Sequence, residues 1–132
     1  EVYATAVGNR IAMLQCTSQY PCPPENLNLS VIPIMRERYP TSVIGFSSHS
    51  AGIFAPLIAT TMGARIIEVH FTLNRTMKGS DHAWSLEPFA LAKLVKEIKR
   101  ARAAMGDGIK RPIEEERAAL EKAGKVFPGV MA

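Results

Sequence analysis

Cysteine is scarce in this chain. Only Cys16 and Cys22 occur among 132 residues, which excludes a disulfide-rich secreted scaffold. Two thiols, separated by a stretch that includes Tyr20 and Pro21, provide no zinc cluster, and they are expected reduced in a cytoplasmic protein, with Cys16 filling core space at a strand end. No apolar run approaches the ~20 residues that cross a bilayer, so no membrane partner is expected. A Gly-rich phosphate loop of the dinucleotide type is also missing. The chain opens Glu1-Val2-Tyr3-Ala4 with no initiator Met, basic leader or apolar leader core, and is read as cut at its N-terminus.

The composition is that of a globular domain. Apolar residues make up 47% and charged residues 21%, with a mean hydropathy of +0.03, which excludes a disordered chain. The net charge is +4. Part of the excess lies in Lys93, Lys96, Lys99, Arg100, Arg102, Lys110 and Arg111. These charges have no interleaved aromatics and no nucleic-acid motif around them. They read as the solvated face of an amphipathic helix, so no nucleic-acid partner is expected.

Apolar periodicity switches several times between short runs and longer helical spacings. Strands are predicted at Ile11 to Gln15, Ser42 to Phe46 and Ala64 to Phe71. Three prolines in four residues keep Thr17 to Pro24 a loop. A helix is expected over Asn26 to Arg38, with Pro33 imposing a kink or a late start. A small-residue helix runs from Gly52 to Met62 and is closed by Gly63. After a long polar loop, Ser85 and Glu87 precede a strong helix with Pro88 in its first turn. Its expected buried stripe is Leu91, Leu94, Val95, Ile98, Ala101 and Met105. Trp84 and Phe89 are expected to anchor the loop to this helix, and Met13, Met35, Met62 and Met105 to lie in the core. Residues 113–132 read as a short charged helix and tail. Spacings of 30 residues from Leu14 to Ile44 and 23 from Ile44 to Ile67 are βαβ lengths, so the sheet should be parallel. Three such units make about three-eighths of a (β/α)8 barrel of ~250 residues; a small doubly wound domain is the alternative.

Polar groups cluster after each predicted strand: Thr17, Ser18 and Tyr20; then Ser47, Ser48 and His49; then Glu68 and His70 around the end of the third. In a parallel α/β fold these positions converge at the carboxyl ends of the strands. Glu68 and His70, two apart, point to one side. Glu68 is either a ligand-binding group or a structural carboxylate paired with a Lys or Arg of the sheet. Neighbouring parallel strands lie ~4.8 Å apart, so His49 and His70 can share one divalent cation, or His70 can pack as a core histidine. Asp81 can orient His82, act as an acid or base, or cap the loop. Lys78 and Arg75 either hold a phosphate or carboxylate or serve solubility.

Several segments in order carry a family resemblance: Leu14-Gln15-Cys16-Thr17-Ser18-Gln19-Tyr20-Pro21, Pro24-Glu25-Asn26-Leu27-Asn28-Leu29, Gly45-Phe46-Ser47-Ser48-His49, Gly63 to Leu73, Gly79-Ser80-Asp81-His82-Ala83-Trp84-Ser85-Leu86-Glu87-Pro88, and Gly106 to Pro112. From Ile11 to Pro112 the chain resembles the sialic acid synthase (N-acetylneuraminate synthase) family. The resemblance implies that residues 1–112 are the C-terminal part of a (β/α)8 TIM barrel, with earlier strands upstream and an antifreeze-like domain downstream. It implies condensation of phosphoenolpyruvate with an N-acylated amino sugar aldehyde, such as N-acetylmannosamine, to a nine-carbon 2-keto acid and phosphate. It further implies Mn²⁺, Mg²⁺ or another divalent cation on His49 and His70, and a sugar site lined by Ser18, Tyr20, Glu68 and Asp81. Ser47 would contact the phosphate of phosphoenolpyruvate, and the full-length enzyme would be a homodimer. Glu68 and Asp81 are the catalytic candidates; Ser18, Tyr20, Ser47, Lys78 and His82 are the substrate-binding candidates. Phe46 and Ser48 stand where Tyr and Asp are common, and Asn74 where Asp is common. A non-catalytic phosphosugar- or metal-binding α/β module is the other reading of the same residues.

Overall fold

The computed structural model describes residues 11–124. Three strands, β1 (Ala12–Cys16), β2 (Val43–Ser48) and β3 (Ile66–Val69), form a parallel sheet in the order β1-β2-β3. Between and after them come helices α1 (Val31–Arg38), α2 (Phe54–Thr61), α3 (Pro88–Met105) and α4 (Glu114–Lys122). Short 3-10 turns at Pro24–Asn26 and His82–Trp84 interrupt the loops.

The register decides between the two candidate architectures. Ile44 pairs with Met13, and Phe46 with Gln15 and Ile67, so these side chains share one face. That face carries the core: Ile44 and Phe46 pack with Ile32 of α1, Ala55 and Ala59 of α2, and with Cys22, Leu27 and Ala64. The opposite face presents Leu14, Cys16, Gly45, Ser47, Ile66 and Glu68, of which Cys16, Ile66 and Glu68 are exposed. A doubly wound sheet reverses its strand order and covers both faces. Here the order is sequential and the helical layer lies on one side, so the three βα units are part of a (β/α)8 barrel and the Gly45 face is its interior.

Proline placement explains the helix starts. Pro33 and Pro56 each occupy the third position of their helix. An N–H in the first turn has no helical partner, so proline there loses nothing. The helices therefore begin at Val31 and Phe54, later than the apolar spacing suggested. Gly63, at φ +99°, closes the turn after α2.

Other expectations are corrected by packing. Cys16 is exposed at the end of β1, whereas Cys22 is buried. The loop after β1 folds back on β2, with the Cys22 N–H donating to the His49 carbonyl at 2.9 Å. The α3 stripe is covered in part: Leu94 is buried and Leu91, Ile98 and Ala101 are half-buried, but Val95 and Met105 are exposed. The helix packs chiefly on α2. Phe89 is exposed too and anchors nothing. Met13, Met35 and Met62 do pack against the core. Among the described residues no helix is long and apolar enough to cross a membrane.

Candidate functional site

Strand alternation puts Ser47 and His49, and Glu68 and His70, on the barrel-interior face. Ser47 and Ser48 lie within β2, beyond the strand end expected at Phe46. Ser47 pairs in register with Glu68, and its hydroxyl donates to Glu68 Oε1 at 2.6 Å. This settles what Glu68 meets within the chain: a serine hydroxyl, with no Lys or Arg in ion-pair contact among the described residues.

His49 and His70 meet at the carboxyl rim. Their ring centroids are 5.3 Å apart and the planes are almost perpendicular, at 87°. His49 is buried and clamped by the β1 loop. Its Nδ1 lies 2.7 Å from the Thr17 carbonyl. A carbonyl only accepts, so Nδ1 carries the hydrogen and Nε2 keeps its lone pair. The loop is itself tied down, with Thr17 Oγ1 donating to the Asn26 carbonyl and Gln15 Nε2 to that of Leu27. Tyr20 lies over the His49 ring with centroids 4.1 Å apart, 5.9 Å from His70 and 6.4 Å from Trp84.

His70 follows β3 directly. Its carbonyl accepts the Leu86 N–H at 2.9 Å, and Thr72 N–H donates to the Leu86 carbonyl, so the chain around Leu86 locks the rim residue in place. Asp81 Oδ2 stands 3.6 Å from His70 Nδ1. The Ser85 hydroxyl holds the Asp81 carbonyl at 2.6 Å. Asp81 therefore faces His70 rather than His82. His82 is engaged elsewhere, its Nδ1 2.7 Å from Thr72 Oγ1. Arg75 is a loop staple: its guanidinium donates to the Ala83 carbonyl and its N–H to Glu87 Oε1. Ser18 and Lys78 are exposed. The structure thus brings Tyr20, His49, His70 and Asp81 into contact at one rim, pairs Ser47 with Glu68 on the same face of the sheet, and shows no contact of Ser18, Lys78 or His82 with the histidine pair among the described residues.

Two neighbours of the pair escaped the sequence. The Thr17 carbonyl is a backbone group and leaves no residue-type signal. Cys16, with Sγ 3.8 Å from His49 Nδ1, was read as core because a strand end can face either way. The two imidazoles are the residues that could hold a divalent cation: His49 is oriented through Nδ1 by the Thr17 carbonyl, Cys16 Sγ lies 3.9 Å from its Nε2, and His70 Nδ1 has Asp81 at ion-pair distance without a hydrogen bond. Among the described residues no group of three or more His, Cys, Asp or Glu is assembled at ligand spacing, so the remaining positions would fall to water or substrate oxygens.

A family model described as the NeuB family matches residues 1–110. The chain belongs to the NeuB family. Human N-acetylneuraminate-9-phosphate synthase is 45% identical over 112 residues, which are 85% of this chain and 31% of the human protein. The crystal structure of the spore coat polysaccharide biosynthesis protein SpsE from Bacillus subtilis superposes with a TM-score of 0.73 at 42% identity, over 82% of this chain and 30% of that one. The N-acetylneuraminic acid (sialic acid) synthetase of Leptospira borgpetersenii serovar Hardjo-bovis, solved with citrate, gives 0.74 at 42% identity, over 86% and 39%. The chain therefore spans about a third of the length of these relatives.

Proposed function

We propose that the full-length protein condenses phosphoenolpyruvate with an N-acylated amino sugar aldehyde, such as N-acetylmannosamine, giving a nine-carbon 2-keto acid and inorganic phosphate. The observation that carries this reading is the pair of perpendicular imidazoles at the barrel rim, 5.3 Å apart, with the carboxylates of Glu68 and Asp81 serving the same rim. The names of the synthase relatives support it.

His49 and His70 would hold a divalent cation such as Mn²⁺, which supplies Lewis-acid polarisation of the sugar aldehyde when bound. The enol carbon of phosphoenolpyruvate forms the new bond to the aldehyde carbon, and the aldehyde oxygen gains a proton. Water then adds to the former enol-phosphate carbon and gives up its protons, and the bond from that carbon to the phosphate oxygen breaks, leaving the 2-keto group and inorganic phosphate. Glu68, steadied by the Ser47 hydroxyl, manages the proton at the aldehyde oxygen or activates the water. Asp81 orients His70 and offers an acceptor to a sugar hydroxyl. Tyr20 supplies an aromatic wall for the sugar. Ser47 would also contact the phosphate, and Ser18, Lys78 and His82 are assigned to substrate binding by the family resemblance alone.

The test is phosphate release by the full-length protein. Release should require both substrates and a divalent ion, and His49→Ala and His70→Ala should each lower kcat/KM by about 100-fold or more. Binding of phosphosugar or metal with no turnover would favour the non-catalytic module. Full activity in both alanine variants would remove the histidines from the mechanism.

A further inference from the structure

The opposite end of the sheet carries a second polar feature. The six residues of β2 separate it from His49 by about 20 Å of extended chain. A cavity of about 310 Å³ opens there, lined by Arg36, Pro40, Ser42, Ile44, Gly63 and Arg65. Arg36 comes from the last turn of α1. Ser42 and Arg65 immediately precede β2 and β3. The Arg65 N–H donates to the Ile44 carbonyl at 2.8 Å, which fixes that backbone against β2.

Gly63 shapes the cavity. A Cβ built there would fall 2.8 Å from Arg36 Cζ and 2.9 Å from its Cδ. The guanidinium lies where any side chain at residue 63 would stand, and the φ of +99° independently favours glycine. Neither Arg36 nor Arg65 makes an ion pair among the described residues. Two exposed arginines and the half-buried Ser42 therefore line one small cavity, and among the described residues no carboxylate pairs with either arginine.

We propose that this cavity is an anion site for a phosphate group, free or carried as a phosphomonoester. A phosphate bears about −1.5 to −2 charges near neutral pH, which matches two guanidinium forks whose geometry suits its oxygens. Ser42 adds a hydroxyl donor. The site stands apart from the histidine rim, and the argument for it does not use the reading of that rim.

Isothermal titration of the full-length protein at constant ionic strength tests this, with inorganic phosphate, phosphoenolpyruvate and a hexose 6-phosphate as separate titrants. Arg36→Gln and Arg65→Gln should each weaken one class of phosphate sites about tenfold or more, with an unchanged far-UV circular dichroism spectrum. His49→Ala should leave that class intact. Equal affinity for inorganic phosphate and the esters identifies the free ion as sufficient; binding of the esters alone identifies a carried phosphate. Ser42→Asp, which keeps both arginines but adds a carboxylate, should also abolish binding while the spectrum is retained. Unchanged affinity and stoichiometry in a folded Arg36→Gln/Arg65→Gln variant, or in folded Ser42→Asp, overturns the assignment.

Discussion

Gly45→Ala is expected to destabilise the protein through the barrel interior, and the structure gives the size of the effect. Gly45 lies on the interior face between Leu14 of β1 and Ile66 of β3. A methyl group there would sit 2.7 Å from the Ile66 carbonyl oxygen, 2.9 Å from its Cβ and 3.0 Å from Leu14 Cγ. The nearest obstacle is backbone, held in the ladder between β2 and β3, so it cannot rotate aside as a side-chain tip does. Overpacking of this kind costs about 1–3 kcal/mol, a large share of a total stability of about 5–15 kcal/mol. Gly52→Ala is the control. Gly52 has φ +81° but nothing within 4 Å of an added Cβ, so its cost is confined to left-handed strain of about 1–2 kcal/mol. Urea unfolding of the full-length protein measures both. Gly45→Ala should also lower turnover, because Ile66 leads directly along β3 to Glu68 and His70. An unfolding midpoint for Gly45→Ala equal to wild type would refute the close packing of β3 against β2 on this face.

Three further outcomes follow from the same geometry. Phe46→Ala removes a ring that is 1% exposed in the core, and should cost about 3–5 kcal/mol in the same unfolding assay; a loss under about 1 kcal/mol would contradict its burial. Asp81→Asn removes the charge beside His70 and should reduce activity or divalent-ion affinity about 10–100-fold, measured by phosphate release and by metal titration, with stability little changed. Cys16 should react quickly with a thiol reagent in the folded protein and Cys22 only on unfolding. Burial pushes the Cys22 thiol above its ordinary value of 9.0, so the folded state favours the neutral thiol. That contribution is complete below the ordinary value and is lost as pH rises through the raised one, so wild type should lose stability above pH 9.0 more steeply than Cys22→Ala.

Much of the fold was legible in local pattern. β-Branched and apolar runs of strand length, helical spacings between them and βαβ distances marked three parallel βα units, because hydrophobic periodicity is a property of neighbouring residues. The meeting of His49 and His70 was legible for the same reason: alternation along a strand fixes the side, and parallel strands share a carboxyl end. Of the two readings Pro33 offered, a kink or a late start, the late start at Val31 is the one observed, because only packing decides how far upstream of the proline the first turn extends. The burial of α3 was overestimated because amphipathicity states which face is apolar, and not whether anything lies against it.

Partners were decided by tertiary structure alone. Asp81 turns to His70 and not to its neighbour His82, since Thr72 takes the His82 ring. Thr17 fixes the His49 tautomer through a backbone carbonyl, a group every residue carries. Cys22, not Cys16, is the buried thiol, because the loop after β1 folds back over β2. Arg36 and Arg65, far apart in sequence, line one cavity because the Arg36 side chain reaches across to Gly63. Residue type and spacing set which chemistry was available and at which end of the sheet it would collect; which atom faces which was set by chain segments distant in sequence, whose contacts leave no periodic trace.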